Sequence, residues 1–231
     1  NSDEKLEDIK ANYSFAAIFT PEDTHNYCNV EGSFTVNVIK ADTSISLATN
    51  SIIAEFGDVI DLGVKPGNDE GVLTYTYKFT NFNNEVKEVK DPQTTIDLVS
   101  AGTYEITVSM AGTTHYNAAK DVEITVVIKQ TSVDKPGLME ATYGDTLDML
   151  TDQFPIETVG SWSWVDDKLT VGDATTDTNN IRYAKFISTN PDYQSLENVA
   201  VYIKVSKKLL TIELNKEKTT FDEVNNVYIQ S

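Results

Sequence analysis

Two histidines are the residues of this chain with the greatest potential for proton transfer or metal binding. His25 and His115 could serve because imidazole is the side chain that titrates closest to neutral pH. Each lies in a polar, turn-like segment, and neither has a second histidine near it in the sequence. A zinc site needs several such ligands at short spacing. We therefore interpret both histidines as turn residues.

Two aromatic pairs are the candidate ligand-contacting residues. Tyr75 pairs with Tyr77, and Trp162 pairs with Trp164, each at i and i+2. In a strand such residues lie on one face. On an exposed face they could stack against sugar rings, and on a buried face they belong to the core. The sequence favours the core, because the two pairs occupy matching positions of an internal repeat.

Charge and composition exclude several classes of partner. The 231 residues carry a formal net charge of −18, which repels nucleic acids and anionic lipid surfaces. No apolar run approaches the roughly 20 residues that span a bilayer, so no membrane insertion is expected. The single cysteine, Cys28, rules out an intrachain disulfide. We expect Cys28 to be a small, partly buried residue.

Motifs for catalysis and cofactor binding are missing from the sequence. There is no glycine-rich phosphate loop, no GxSxG and no HExxH. The acidic segments lack the spaced aspartates of a calcium loop, although a calcium site stays open. A glycosidase-like carboxylate pair also stays open, and nothing singles one out. We therefore expect no enzyme activity, no catalytic residue, no cofactor and no metal.

A tyrosine followed by an alternating strand occurs three times. The tyrosines are Tyr27, Tyr116 and Tyr193. After the second and third, β-branched residues fall at the same offsets, which predicts the same half-buried strand twice. After Tyr27 the alternation is one residue out of phase, which predicts an insertion near Glu31-Gly32 or a β-bulge. We interpret these tyrosines as sandwich corners whose hydroxyls bond local backbone.

A turn motif, aromatic-Gly-Asp-x-apolar-Asp, occurs twice. Its copies are 56-FGDVIDL-62 and 143-YGDTLDML-150. Glycine and aspartate favour tight turns, so each copy predicts a turn that enters a strand. Tyr75 and Trp162 each lie 17 residues after the first aspartate of their copy.

These recurring segments divide the chain into four predicted parts. The parts are residues 1–40, the C-terminal half of a repeat; residues 41–129 and 130–207, two complete domains; and residues 208–231, the first strands of a further repeat. In the last part, Phe221-Asp222 is interpreted as a degenerate turn motif. Because residues 1–40 would expose strand edges, we expect them to join a neighbouring sheet or be completed by another chain.

The joints between the complete domains are short. The segments 39-IKADTSI-45 and 128-IKQTSVD-134 contain no glycine and no proline, which predicts an elongated arrangement with limited hinge motion. Short alternating strands with turn residues between them predict an all-β fold of stacked antiparallel sheets.

The order of these segments resembles the tandem immunoglobulin-like (Ig-like) repeats of bacterial cell-surface proteins. The matching pieces are FTPEDTHNY, AGTYEITVSMAGTTHYNAA, ATYGDTL and GSWSWVDDKLTVGD, which together touch most of residues 12–187. The resemblance implies an Ig-like β-sandwich in each domain and a location outside a bacterial cell, on its surface or secreted. It implies a stalk or adhesive module of a longer surface protein, and no catalytic residues.

Two functions follow as hypotheses. The first is a non-enzymatic spacer that could also act as an adhesin toward a host or cell-surface protein or glycan. The second is a carbohydrate-binding accessory module that uses exposed aromatic residues or the long segments 65–73 and 80–92, which are specific to the 41–129 domain. A glycan-processing enzyme on a β scaffold is the third and least favoured class.

Overall fold

The computed structural model describes residues 9–174 and 180–210 with their side chains, and the backbone of residues 219–222 and 227–230. The polar segment 171-VGDATTDTNN-180, which we interpret from the sequence as a loop, lies partly outside this range. The residues that would complete a turn after Phe221-Asp222 lie outside it as well. Strands make up about half of the described chain, which contains one short 3-10 helix besides, so the predicted all-β class is confirmed.

The chain divides into two compact units. The first comprises residues 1–133 and 188–194, and the second comprises residues 134–187 and 195–231. The first unit contains nine strands, which are β1 (Lys10–Phe19), β2 (Val30–Val38), β3 (Ile45–Leu47), β4 (Ser51–Glu55), β5 (Val64–Pro66), β6 (Leu73–Asn81), β7 (Val86–Gln93), β8 (Gly102–Met110) and β9 (Val122–Lys129).

The main sheet of the first unit has the strand order β4-β9-β8-β6-β7. Its pairs are antiparallel except for β4, which runs parallel to β9. Strands β3 and β5 form a separate antiparallel pair, and β1 and β2 form an antiparallel hairpin. The alternation in β8 buries Tyr104, Ile106, Val108 and Met110 to 3% exposure or less, against the equally buried apolar face of β9.

The second unit contains a four-stranded sheet, a 3-10 helix and a hairpin. The elements are β10 (Met139–Thr142), the 3-10 helix Leu147–Gln153, β11 (Gly160–Trp164), β12 (Asn180–Ser188), β13 (Leu196–Ser206), β14 (Thr219–Asp222) and β15 (Val227–Gln230). The sheet order is β10-β13-β12-β11, and β14 pairs with β15. Again the first strand, β10, runs parallel to the last, β13.

The two main sheets share four strands in the same order and register. Ile52 of β4 lies opposite Val126, and Met139 of β10 lies opposite Ile203. Two residues on, an alanine occupies the next inward position of each edge strand, as Ala54 does opposite Ile128 in the first unit. The amide that follows each edge strand also donates an equivalent bond, Phe56 N to Lys129 O in one unit and Tyr143 N to Ser206 O in the other.

The predicted irregularity in β2 is absent. Strand β2 pairs with β1 in unbroken register from Val30 to Val36, and the one register shift of this pair lies in β1, between Lys10 and Tyr13. The expectation of an insertion or bulge near Glu31-Gly32 is therefore wrong. The alternation after Tyr27 is out of phase because the distance in sequence from Tyr27 to Phe34 is one residue shorter than the distance from Tyr116 to Ile124.

Candidate functional site

Trp162 and Trp164 lie inside the second unit, with 7% and 5% of their surfaces exposed. Trp164 packs at 4.8 Å from Phe154, and Trp162 lies 5.3 Å from Phe186, measured between ring centroids. Rings so enclosed present no face to a sugar. These two indoles therefore do not form a ligand platform and are core residues. Neither indole N–H has a hydrogen-bond partner within the described part of the chain.

Tyr75 and Tyr77 share the core-facing side of β6, opposite Val108 and Ile106 of β8. Both rings pack against the hydrophobic core and stay partly exposed. Burial raises the pKa of Tyr75 above its usual value, and the nearby charge of Asp61 acts in the same direction. Of the four predicted contact residues, these two alone retain a surface that a ligand could reach.

Tyr77 lines an open cleft of about 450 Å³ beside β6 and β7. Phe79 and Tyr104 also line it, together with polar side chains that include Gln93 and Asp97. Aromatic faces with a few polar groups are the usual composition of a small-molecule site. The sequence pattern does not single out Gln93 or Asp97, although it marks residues 80–92, which include most of β7, as specific to this domain.

The corner tyrosine of the first unit is Tyr104, at the start of β8. Its hydroxyl donates to Ser100 O at 3.3 Å and accepts from Ser100 N at 3.2 Å. Burial raises the pKa of Tyr104 above its usual value. This bonding pattern resembles the tyrosine corner of Ig-like sandwiches, which the sequence pattern places at Tyr27, Tyr116 and Tyr193. That assignment is corrected, because the hydroxyl bonded to local backbone belongs to Tyr104.

Replacing Tyr104 with phenylalanine should lower the free energy of unfolding of the first unit by about 1–3 kcal/mol, because Ser100 loses both bonds to the hydroxyl. Urea denaturation followed by circular dichroism would measure the change. Tyr77→Phe is the matched control, since the Tyr77 hydroxyl has no hydrogen bond among the described residues. Equal losses in the two variants would show that the corner bonds contribute nothing specific.

The turns at Tyr116 and Tyr193 instead hold the segments that follow β2 and β9. Ala41 N donates to His115 O at 2.9 Å, and Asn117 N donates to Ala41 O at 2.8 Å. At the second turn Thr131 N donates to Asp192 O at 3.0 Å, and Gln194 N donates to Thr131 O at 2.8 Å. Both are short parallel bridges, of Ala41 with Tyr116 and of Thr131 with Tyr193. The turn thus fixes a linker by a pair of backbone bonds.

Side chains reinforce the same bridges. Lys40 Nζ donates to Thr113 O at 2.6 Å, and Gln130 Nε2 donates to Pro191 O at 2.8 Å. Lys40 precedes Ala41 and Gln130 precedes Thr131. In each case the side chain before the bridged residue donates to a carbonyl oxygen of the turn. Within the first unit, Asp192 also accepts a 2.6 Å hydrogen bond from Ala101 N. The segment 188–194 is therefore anchored by several independent bonds.

Both histidines lie in turns. The backbone N–H of His25 donates to Asp23 Oδ1 at 3.2 Å. His115 Nδ1 lies 2.5 Å from Glu70 Oε1. A hydrogen bond from the side chain of Thr113 lowers the pKa of Glu70 below its usual value, and His115 lowers it further. Glu70 thus holds the turn that carries His115, and this pair is a structural contact across a loop.

Substituting Glu70 with glutamine should lower the melting temperature at neutral pH and leave it unchanged in strong acid. A carboxyl whose pKa is lowered by folding stabilises the fold above its unfolded pKa and loses that effect as pH falls through the folded pKa. Melting curves from pH 7 to pH 3 should therefore converge for the two proteins. Asp69→Asn is the neighbouring control. A difference that persists at pH 3 would contradict the assignment.

Cys28 is exposed, which corrects the expectation of partial burial. It lies in the turn before β2, whose two faces have no covering layer in the described chain. Within residues 9–174 and 180–210, no three His, Cys, Asp or Glu side chains lie close enough together to hold a metal ion. The described 3-10 helix is too short and too polar to cross a membrane, and no other described segment is a membrane-spanning helix.

No protein-family model matches the chain, and no curated protein matches it.

Proposed function

We propose that this chain is a non-enzymatic, load-bearing spacer made of Ig-like β-sandwich domains in series, with an elongated arrangement. One observation carries the proposal, namely the parallel pairing of the first and last strands of the main sheet in both units. Strand β4 pairs with β9 over five residues, and β10 pairs with β13 over four. The repeated strand order and the Tyr104 corner support the Ig-like assignment.

Parallel pairing of these strands suits a chain under tension. Force applied to the two ends of a domain pulls the early strand toward its N-terminus and the late strand toward its C-terminus. The hydrogen bonds between the strands are then loaded in shear and must break together. An antiparallel hairpin at the same place would open one bond at a time. Parallel pairing of the first and last strands therefore gives a domain more resistance to extension than antiparallel pairing of the same residues would.

The setting we propose is the outside of a bacterial cell, on the surface or secreted, where this chain forms the stalk of a longer protein. The strong negative charge keeps such a module apart from nucleic acids and anionic membranes. A host or cell-surface protein or glycan would be the partner if the chain also acts as an adhesin.

The test is single-molecule extension of the full chain through its two ends. Phe56 N donates to β9, and donors alternate along a strand, so the Ala54 N–H also faces β9 while the Ile53 N–H faces away. Ala54→Pro should therefore lower the unfolding force of one domain by removing a sheared bond. Ile53→Pro, its neighbour, should lower that force much less.

Two results would contradict the proposal. One is an unfolding force that is the same in Ala54→Pro and in the unmodified chain. The other is equal losses in the two proline variants, which would indicate a general proline effect in β4. Small-angle scattering of the full chain provides a separate check, because a compact globule would argue against domains in series.

Carbohydrate binding is a second candidate, favoured by the cleft beside Tyr77. Sugar rings stack on exposed aromatic faces and need polar groups at their edges. A glycan array should then reveal a ligand whose binding is weakened by Gln93→Ala or Asp97→Asn. Asp121→Asn, outside the cleft, is the control. An array without a ligand, or a ligand indifferent to both cleft variants, would remove this candidate.

A further inference from the structure

The hairpin of β1 and β2 exposes a face that is buried at the equivalent positions of both units. Ala41 and Thr131 make the same bridge to their turns, so counting back from them aligns Val36 with Val126 and Phe34 with Ile124. Phe34 is 53% exposed, whereas Ile124 is 1% exposed. The Phe34 ring stacks on Phe15 at 5.3 Å. The hairpin therefore exposes to solvent an apolar face whose equivalents in the two units belong to the hydrophobic core.

The outer edge of β2 is also unpaired within the described chain. Strand β9 has β8 on one side and parallel β4 on the other. Strand β13 likewise has β12 on one side and parallel β10 on the other. Strand β2 has only β1. An edge with free N–H and C=O groups beside an apolar face is a template for another strand.

The two strands that occupy this edge in the units share a sequence pattern. Both read large apolar, any residue, alanine, any residue, aromatic, Gly, Asp, as 52-IIAEFGD-58 and 139-MEATYGD-145. The large apolar residue and the alanine lie opposite the inward residues of the last strand, as Ile52 opposite Val126 and Ala54 opposite Ile128. The pattern thus encodes both the face and the register of the added strand.

We propose that β2 is an acceptor edge for a parallel strand with this pattern, supplied by another Ig-like repeat. The large apolar residue would lie opposite Val36 and the alanine opposite Val38, and the aromatic residue's N–H would bond to Ile39 O. The corresponding C-terminal segment of a second copy fits poorly, since Glu217 and Thr219 stand before Phe221 where the pattern has its large apolar residue and its alanine. The inference rests on the Ig-like domains proposed above and adds their mode of completion.

The test uses the full chain and a synthetic peptide, 49-TNSIIAEFGDV-59, which carries the pattern. In ¹⁵N-labelled protein, the peptide should shift the amide resonances of residues 34–39. A spin label at the peptide's N-terminus should broaden signals near Thr35, and one at its C-terminus should broaden signals near Ile39. A peptide of equal length with aspartate in place of Ile52 and Phe56 is the ligand control.

Protein variants test which face of β2 contacts the peptide. Val36→Lys should weaken peptide binding by about tenfold or more, since it places a charge where an apolar contact of about 1–2 kcal/mol is expected. Thr35→Lys lies on the opposite face and should bind the peptide as the unmodified chain does. A nuclear Overhauser effect between Phe15 and Phe34 reports that the hairpin is intact, and the peptide control is decisive if Val36→Lys disrupts it.

Several outcomes would overturn the acceptor edge. These are no binding at millimolar peptide, shifts confined to residues outside β2, reversed broadening that indicates an antiparallel strand, or equal binding of the control peptide. Self-association of the chain that is lost in Val36→Lys would assign the edge to a second copy and also overturn the proposal. Loss of unfolding force in Ala54→Pro is independent of these results, so the two proposals can fail separately.

Discussion

Replacing Phe186 with alanine lowers the free energy of unfolding of the second unit by about 3–5 kcal/mol, which is the expected cost of removing a large ring from a closed core. Phe186 has no exposed surface, and its ring packs against Trp162. The rigid indole of Trp162 borders the cavity left behind and cannot collapse into it. Most of the stability of a domain of this size could be lost.

Fluorescence measures this change selectively. Trp162 and Trp164 are the chain's two tryptophans, and both lie in the core of the second unit. Urea denaturation followed by their emission therefore reports that unit. Ile187→Ala is the control, because Ile187 is the next residue in β12, points to the other face and is 43% exposed. A similar loss in both variants would mean that the assigned face of β12 is wrong.

Substituting Gly102 with alanine should destabilise the first unit by about 2–6 kcal/mol. Gly102 has a φ of +150°, which L-residues rarely adopt. A Cβ atom there would lie 2.4 Å from Thr80 O and 2.7 Å from the Phe79 ring. Since the nearest atom is backbone of the adjacent strand β6, relief of the clash requires β6 and β8 to separate.

Substitutions at two other glycines separate the two causes of this loss of stability, which are backbone strain and steric clash. Gly57 has a φ of +94°, and no atom lies within 4 Å of the position that an added Cβ would take, so Gly57→Ala measures backbone strain without a clash. Gly137 has neither strain nor a close neighbour, so Gly137→Ala should be near neutral. Hydrogen exchange of the β8 and β9 amides would locate the loss. If Gly102→Ala costs no more than Gly57→Ala, the close approach of β6 to β8 is not as described.

The pattern of residues along each strand could be read from the sequence because it is local. In β9, Ile124, Val126 and Ile128 alternate with polar or exposed residues, and this period of two specifies a strand with one apolar face. The aromatic-Gly-Asp turn also marks equivalent places in the two units, where Phe56 and Tyr143 follow their edge strands, but the second copy leads into the 3-10 helix Leu147–Gln153 and not into a strand as predicted. Both signals depend on a few neighbouring residues.

The candidate site could be predicted only in part, because the same spacing fits opposite environments. Tyr75 with Tyr77 and Trp162 with Trp164 have equal spacing, yet the tyrosines remain partly exposed and the tryptophans are enclosed. Phe154, which closes over Trp164, follows the 3-10 helix, and that helix has no counterpart in the described part of the first unit. No pattern within β11 could report a covering element from another part of the chain.

The sequence by itself determined that this protein is built of strands and which residues alternate along them. Only the tertiary structure decided which tyrosine forms the corner, since the choice of Tyr104 over Tyr116 depends on which hydroxyl reaches Ser100 O. It also decided that β4 and β10 lie parallel to the last strands of their sheets. Strand direction within a sheet is a relation between distant segments, and it is fixed when their apolar faces are buried together.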